Sequence, residues 1–208
     1  MTSKNLIFEA CVETLEDALA AQKRGAHRIE LCSALEQNGL TPSKELTMNC
    51  LEHLSIPVMA MVRPRGGDFV YSESEISQME TEIEFFKQSG VAGVVFGLLT
   101  KDDNIDIENT CRLAKLAFPL EVTFHKAIDY STDVMKSFQE LNGLDGITRV
   151  LTSGGKDTAW NGRLVLKVMN ELRERRITII AAGKIIPENR EQIAGFTGVK
   201  ELHGKRIV

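Results

Sequence analysis

The sequence has no run of about 18 consecutive apolar residues, and no recognisable signal peptide precedes its first strand-like segment. We therefore expect neither a transmembrane helix nor a secretory leader, and the expected location is the cytoplasm. Basic runs and alternating basic and aromatic residues are also missing. With 29 acidic against 25 basic side chains, the composition indicates no nucleic-acid partner.

Cysteine is scarce, and no two cysteines have CxxC spacing. The 4 cysteines are Cys11, Cys32, Cys50 and Cys111. In a chain of 208 residues without secretory features, this pattern predicts free thiols in a reducing compartment rather than a disulfide framework. Cys50 and Cys111 lie in helix candidates, and we expect them to be small buried hydrophobic residues.

A strand–GxGxxG–helix phosphate fingerprint is absent from the early part of the chain, which argues against a dinucleotide-binding open sheet. Short apolar runs instead alternate with segments of helical period. The strand candidates are Leu6–Val12, His27–Cys32, Pro57–Arg63, Gly93–Leu99, Leu120–His125, Arg149–Thr152, Ile177–Ala182 and Val199–His203. This alternation over residues 1–208, without a linker, predicts one domain with the TIM (β/α)8 barrel fold. A doubly wound open sheet is the alternative.

The segments between the strand candidates predict helices. The first begins at Thr14, with Asp17 placed to complete a capping pattern, and ends at Gly25. The others are expected near Ser43, around Ile76–Phe86, and over Asp106–Ala117, Thr132–Leu141, Asp157–Arg173 and Pro187–Gly195. The chain stops soon after the eighth strand, so the final helix is expected to be short or missing. A subunit contact could cover the apolar surface left there, which predicts a homo-oligomer, a dimer in the simplest case, or an assembly protein.

Glu9-Ala10-Cys11 and Glu30-Leu31-Cys32 repeat one arrangement near the ends of the first two strands. Side chains two residues apart on a strand point to the same face, so two carboxylates and two thiols converge if the strands are parallel neighbours. The same parity places Arg63, His125 and His203 on inward faces of later strands. Polar groups inside a barrel are costly unless they are paired or ligated, so the sequence predicts a site at this end of the barrel.

Five strings occur in order along nearly the whole chain. They are IELCS at Ile29–Ser33, GLTPS at Gly39–Ser43, RPRGGDF at Arg63–Phe69, TFH at Thr123–His125 and LTSGG at Leu151–Gly155. Together they resemble the CutC family of copper homeostasis proteins. The resemblance implies a TIM barrel, a cytoplasmic location and a Cu(I)-binding role.

Cys11 and Cys32 are the candidate metal ligands. Adjacent strands lie about 4.8 Å apart, so two thiolates at one level can share a soft ion, and Cu(I) prefers thiolate and thioether ligands. Met59, Met61 and His203 are expected nearby. A lowered thiol pKa requires a nearby positive charge, which Arg63 could supply. Burial as simple core residues is the competing interpretation of both cysteines.

An enzyme acting on a small anionic metabolite is the alternative function. Two carboxylates facing one cavity can act as acid and base, so Glu9 and Glu30 are candidate catalytic residues, with His125 assisting proton transfer. Arg63 and Arg65 would hold the anion in this interpretation. A barrel-core ion pair with Arg28 or Arg63 explains the carboxylates equally well.

Two loops supply further candidate ligand-binding residues. The segment Arg63–Asp68 places two guanidinium groups near the barrel mouth, although pairing of an arginine with Asp68 could simply make the loop rigid. Thr152 and Ser153 open a glycine-containing loop whose backbone N–H groups could bind an anion. His203, at the end of the last strand, completes the candidate ligand-binding residues.

Overall fold

Eight short parallel strands form a closed barrel in chain order in the computed structural model, which describes residues 6–172, 174 and 176–208. The strands are β1 (Ile7–Val12), β2 (Arg28–Leu31), β3 (Val58–Met61), β4 (Gly93–Phe96), β5 (Glu121–Phe124), β6 (Arg149–Thr152), β7 (Thr178–Ala181) and β8 (Glu201–Gly204). Pairing of β1 with β8 closes the sheet, with Glu9 opposite His203. This closure confirms the TIM barrel and excludes the open sheet.

Seven α-helices connect the strands within the described ranges. They are α1 (Leu15–Lys23), α2 (Lys44–His53), α3 (Glu73–Ser89), α4 (Ile107–Ala117), α5 (Val134–Gly143), α6 (Arg163–Glu171) and α7 (Arg190–Thr197). Short 3-10 turns occupy Leu35–Gln37 and Lys126–Tyr130. The described residues after β8 form a turn and contain no helix, as expected from the sequence. None of the helices among the described residues is long and apolar enough to span a membrane.

Local sequence signals fix several helix ends. The Thr14 hydroxyl accepts a hydrogen bond from the Asp17 N–H, as the capping pattern predicts. The predicted start of the sixth helix at Asp157 is wrong, because the helix begins at Arg163. Residues 157–162 form bends and turns instead, and the Ala159 N–H donates to the Gly183 carbonyl of the neighbouring loop. The predicted end of that helix, at residue 173, lies outside the described residues.

Strand parity separates two packing environments. The outward residues of β3, Val58 and Ala60, belong to the main core between sheet and helices, together with Val62 just beyond the strand. Met59 and Met61, which point inward, pack instead with Cys11, Cys32 and Val95 inside the barrel. Alternate residues of one strand therefore pack either outward against the helices or inward into the barrel interior.

Charged side chains fill the lower part of the barrel. Arg28 donates to Glu9 at 2.5 Å and to Glu201 at 2.6 Å, and all three residues are buried. Arg149 pairs with Glu201 and with Glu121 on the next strand around. Buried charges are tolerated when they are paired and hydrogen-bonded, and this network meets that condition. The sites described below lie above it.

Candidate functional site

Cys11 and Cys32 meet at the upper end of the first two strands. Cys11 lies on β1 opposite Glu30, and Cys32 follows β2 directly, where its N–H donates to the Val12 carbonyl. The two sulfurs are 3.8 Å apart, and both side chains are buried. The thiols are free, since a disulfide requires about 2.05 Å. The convergence predicted from parity is therefore present.

Soft and small groups surround the thiol pair. The Met59 and Met61 side chains pack in the same cluster as the two cysteines. Gly39 leaves room beside them, since a Cβ there would lie 3.1 Å from Cys32 Sγ and 3.7 Å from Met61 Cε. Its φ of +87° also favours glycine. The loop after β2 can thus pass close to the sulfurs at Gly39, because this residue has no side chain.

Glu9 is held as a carboxylate. Burial alone raises its pKa, but the hydrogen bond from His203, together with the charge of Arg28, outweighs burial and lowers the pKa to about 2. His203 Nδ1 lies 2.8 Å from Glu9 Oε1. Glu9 therefore forms a barrel-core ion pair with Arg28, and its second oxygen accepts a hydrogen bond from His203.

Glu30 differs from Glu9 because no arginine or lysine pairs with it among the described residues. Burial, reinforced by the nearby Cys11 and Glu9, raises the pKa of Glu30 well above its ordinary value despite the opposing effect of His203. Its Oε2 atom lies 3.5 Å from Cys32 Sγ and 3.7 Å from His203 Nε2. The surroundings thus favour the ionised form of Glu9 and the protonated form of Glu30.

His203 connects the carboxyl groups to the thiols. Burial lowers its pKa, but Glu30, Cys11 and Glu9 outweigh that effect and raise it well above the ordinary value. The hydrogen bond from Cys32, supported by His203, lowers the pKa of Cys11 despite burial, whereas contact with Cys11 and burial raise the pKa of Cys32. The positive charge beside Cys11 thus comes from His203 and not from Arg63.

Among the residues that the structure describes, two overlapping groups of side chains have spacing suited to a metal ion. Cys11, Glu30 and Cys32 form one, and Glu9, Glu30 and His203 form the other, with potential ligand atoms in each lying within 4.8 Å of one another. The first group contains both thiols. In the second group, Glu9 is already paired with Arg28.

The two arginines of the RPRGGDF string have different surroundings. Arg63 is buried and donates to the carbonyl oxygens of Gln37, Gly39 and Gly67. Arg65 pairs with Asp68 at 2.9 Å and with Glu75 at 2.6 Å, so its guanidinium holds the loop to the start of α3. Arg63 lines the cavity at the barrel mouth, while Arg65 is absent from that lining.

His125 is buried directly after β5. Its Nδ1 accepts a hydrogen bond from the Ala127 N–H, and its ring lies edge-on to Phe69 at 5.1 Å. Burial and the charge of Arg63 lower its pKa to about 3. The ring is therefore neutral, and the acceptor role of Nδ1 places its proton on Nε2.

The loop containing Thr152 and Ser153 binds an acidic group of the chain itself. The N–H groups of Ser153 and Gly155 and the Thr152 hydroxyl all donate to the Asp129 carboxylate. Lys126 Nζ approaches both Asp129 and Ser153 at 2.5 Å. The anion expected at these N–H groups is thus supplied internally, which sequence spacing alone does not reveal.

A cavity of about 470 Å³ opens above these groups. Cys11 and Glu30, both buried, line it at its base together with His203, and the exposed Lys205 lines its solvent side. Lys205 is a lining residue that was not among the sequence candidates, although it follows His203 by two positions and so continues the parity of β8. The structure therefore brings Cys11, Glu30, Arg63, His125 and His203 to one cavity.

Comparison with known proteins agrees with this architecture. The family model described as "CutC family" matches residues 6–208. The solved CutC structure from Streptococcus agalactiae has a TM-score of 0.92 and 34% identity, covering 98% of this chain and 100% of that one. Structures at 12–15% identity, such as a phosphonopyruvate hydrolase with a TM-score of 0.70, share the fold alone.

Curated relatives extend over almost the whole chain. The human copper homeostasis protein cutC homolog is 40% identical over 201 residues, which is 97% of this chain and 73% of the relative. A CutC family protein from Vibrio campbellii is 42% identical over 96% of this chain and 81% of its own length. With the family model matching nearly every residue and the motifs placed around one cavity, the chain belongs to the CutC family.

Proposed function

We propose that this protein binds Cu(I) through Cys11 and Cys32 and takes part in copper homeostasis. The observation that carries the proposal is the thiol pair itself, with sulfurs 3.8 Å apart in a buried position. His203 and the Cys32 thiol lower the pKa of Cys11, which favours the thiolate form that a metal requires. The names of the human and mouse relatives, copper homeostasis protein cutC homologs, support the physiological role.

The surroundings favour Cu(I) over harder cations. Thiolate and thioether groups select Cu(I), and Met59 and Met61 pack against the thiol pair. The only carboxyl group spaced with the two thiols in the described part of the chain is Glu30, whose raised pKa makes it a poor oxygen ligand for Zn²⁺ or Mg²⁺. Reduced thiols also fit a cytoplasmic location.

The test is a competitive Cu(I) titration under anaerobic, reducing conditions against a chromophoric Cu(I) chelator. We expect wild type to bind Cu(I) with an affinity at least about 100-fold above that of a Cys11→Ser/Cys32→Ser variant, since both thiolate ligands are lost. Circular dichroism and thermal unfolding of the metal-free proteins will establish that the variant is folded.

A Cys50→Ser/Cys111→Ser variant is the matched control, because it also removes two thiols but leaves the pair intact. Cys50 is buried on α2 and Cys111 lies on α4. This control should bind Cu(I) as wild type does. Equal Cu(I) affinities for wild type and the Cys11→Ser/Cys32→Ser variant would refute the site.

The enzyme alternative has less support from the structure. Its expected anion-binding residue Arg65 is paired with Asp68 and Glu75, and Glu9 is paired with Arg28. The relatives' names favour copper homeostasis over catalysis.

A further inference from the structure

The cavity at the barrel mouth is much larger than a metal ion needs. Its volume of about 470 Å³ falls in the range of small-molecule sites. Its walls are mainly apolar, formed by Leu35, Met61, Phe69, Leu99 and Leu151. A Cu(I) ion between the thiols accounts for Met61, but Phe69, Leu99 and Leu151 lie outside the thiol cluster and have no part in holding the ion.

Arg63 lines this cavity with a buried positive charge that has no acidic partner among the described residues. The Arg63 residue is only 3% exposed, and its guanidinium donates to three backbone carbonyl groups. No carboxylate lies within ion-pair distance of Arg63 in the described ranges, and its guanidinium sits 4.9 Å from the centre of the Phe69 ring. Buried charges are normally paired, so Arg63 creates a positive potential in the cavity.

Lys205 adds a second positive charge near the entrance. Its Nζ donates to the Leu35 carbonyl, and it has no acidic partner in the part of the chain that the structure describes. Lys126, by contrast, is paired with Asp129. Of the acidic lining residues, Asp68 is paired with Arg65, Asp103 is solvent-exposed, and Glu30 lies at the base.

The lining also contains buried polar atoms without hydrogen-bond partners among the described residues. These atoms are Glu30 Oε1, Arg63 Nε and His125 Nε2. Arg63 Nε and His125 Nε2 both carry protons, since the His125 ring donates from Nε2. Unsatisfied buried polar groups are costly, and ligand sites are where such groups are commonly retained.

We propose that this cavity binds a small organic molecule that has an apolar body and one anionic group. The apolar body packs against Phe69, Leu99 and Leu151, and the anionic group is drawn to the field of Arg63 and Lys205. The proposal does not depend on Cu(I), because Phe69, Leu99 and Leu151 and both cations lie outside the cluster that contains the thiol pair.

Calorimetric titration at low ionic strength with three probes of one chain length tests the proposal: octanoate, octan-1-ol and octylammonium. We expect saturable binding of octanoate, with an affinity about tenfold or more above that of octylammonium, because the cations of the cavity repel the ammonium group.

The variant Lys205→Met tests the second cation. It should weaken octanoate binding about threefold to fivefold, as expected for loss of a solvent-exposed ion pair, and leave the affinity for octan-1-ol unchanged. Lys23→Met, on the outer helix α1, is the matched control and should change the affinity for neither octanoate nor octan-1-ol.

A cavity-filling variant links binding to this place in the fold. Leu35 lines the cavity from a 3-10 turn outside the strands, where it packs against the cluster of the two thiols, so Leu35→Trp adds bulk to the cavity wall without replacing a strand residue. It should abolish binding of octanoate and octan-1-ol, with its thermal unfolding confirming a folded protein. Equal affinity for octanoate and octylammonium, or octanoate binding unaffected by Leu35→Trp, would overturn the proposal.

Discussion

At the level of single residues, Glu9 and Glu30 occupy one barrel interior but have different electrostatic surroundings. Glu9 faces Arg28 and His203, and its pKa falls to about 2, while burial dominates at Glu30 and raises the pKa. The difference arises from position along the strands, because Glu9 is opposite Arg28 and Glu30 is opposite Cys11. Two residues along each strand therefore separate the ion-pair network from the thiol site.

Arg28 is the residue whose loss should most damage this arrangement. Arg28→Met leaves Glu9 and Glu201 buried and without their main counter-charge, which we expect to cost about 3–5 kcal/mol in free energy of unfolding. Urea denaturation measures the loss. Arg112→Met, which removes a surface arginine bonded to Glu73 and Glu80, is the control and should cost much less. Similar losses for both variants would show that the buried network contributes no special stability.

Whether the sequence predicts a contact in the site depends on whether that contact joins consecutive strands. Parity placed Cys11 and Cys32 together because consecutive strands of a barrel are neighbours. The contact of His203 with Glu9 instead requires that β8 closes on β1. The predicted closed barrel puts His203 near the thiols, but strand register decides that its ring contacts Glu9 and lies beside Cys11, so the sequence alone points to Arg63 as the source of that positive charge.

At the level of elements, strands and most helices could be predicted because each repeats a simple apolar period. Loops were harder, since their paths depend on backbone hydrogen bonds between neighbouring connections. The late start of α6 reflects this, because the Ala159 N–H is held by the Gly183 carbonyl instead of entering a helix. Likewise, the N–H groups of Ser153 and Gly155 are filled by Asp129 from the preceding loop.

The link between the loops after β5 and β6 can be tested at Asp129. Asp129→Ala should lower the free energy of unfolding by about 2 kcal/mol or more, because several N–H and O–H groups lose a charged acceptor. The freed N–H groups form an anion-binding concavity, so inorganic phosphate should raise the Tm of the variant more than that of wild type. Equal phosphate effects on both proteins would mean that the loop does not keep its shape without Asp129.

At the level of the whole molecule, the two ends of the barrel interior contain different kinds of side chains. The lower interior is filled by paired charges, whereas the mouth combines free thiols, apolar walls and a buried guanidinium that has no acidic partner in the described part of the chain. The barrel tolerates these costly groups because its closed sheet and surrounding helices supply a large separate core. The dimer expected from the sequence stays a prediction.

Acid stability of the whole barrel should depend on His125. Its pKa is about 3 in the folded protein against an ordinary value of 6.5, so the unfolded chain binds a proton that the folded chain excludes. The stabilisation is therefore complete above about pH 6.5 and declines as the pH falls toward 3, by up to about 1.4 kcal/mol per pH unit. In His125→Gln this dependence disappears, whereas the control His53→Gln, on the exposed end of α2, keeps it.

Urea denaturation of wild type and His125→Gln between pH 7 and 4 measures this effect. Carboxylates such as Glu9 also lose stabilisation in acid, but they are present in both proteins and cancel in the difference. The stability of His125→Gln relative to wild type should rise steadily as the pH is lowered. A difference that does not change with pH would mean that His125 is protonated in the folded barrel as readily as in the unfolded chain, which its burial beside Arg63 opposes.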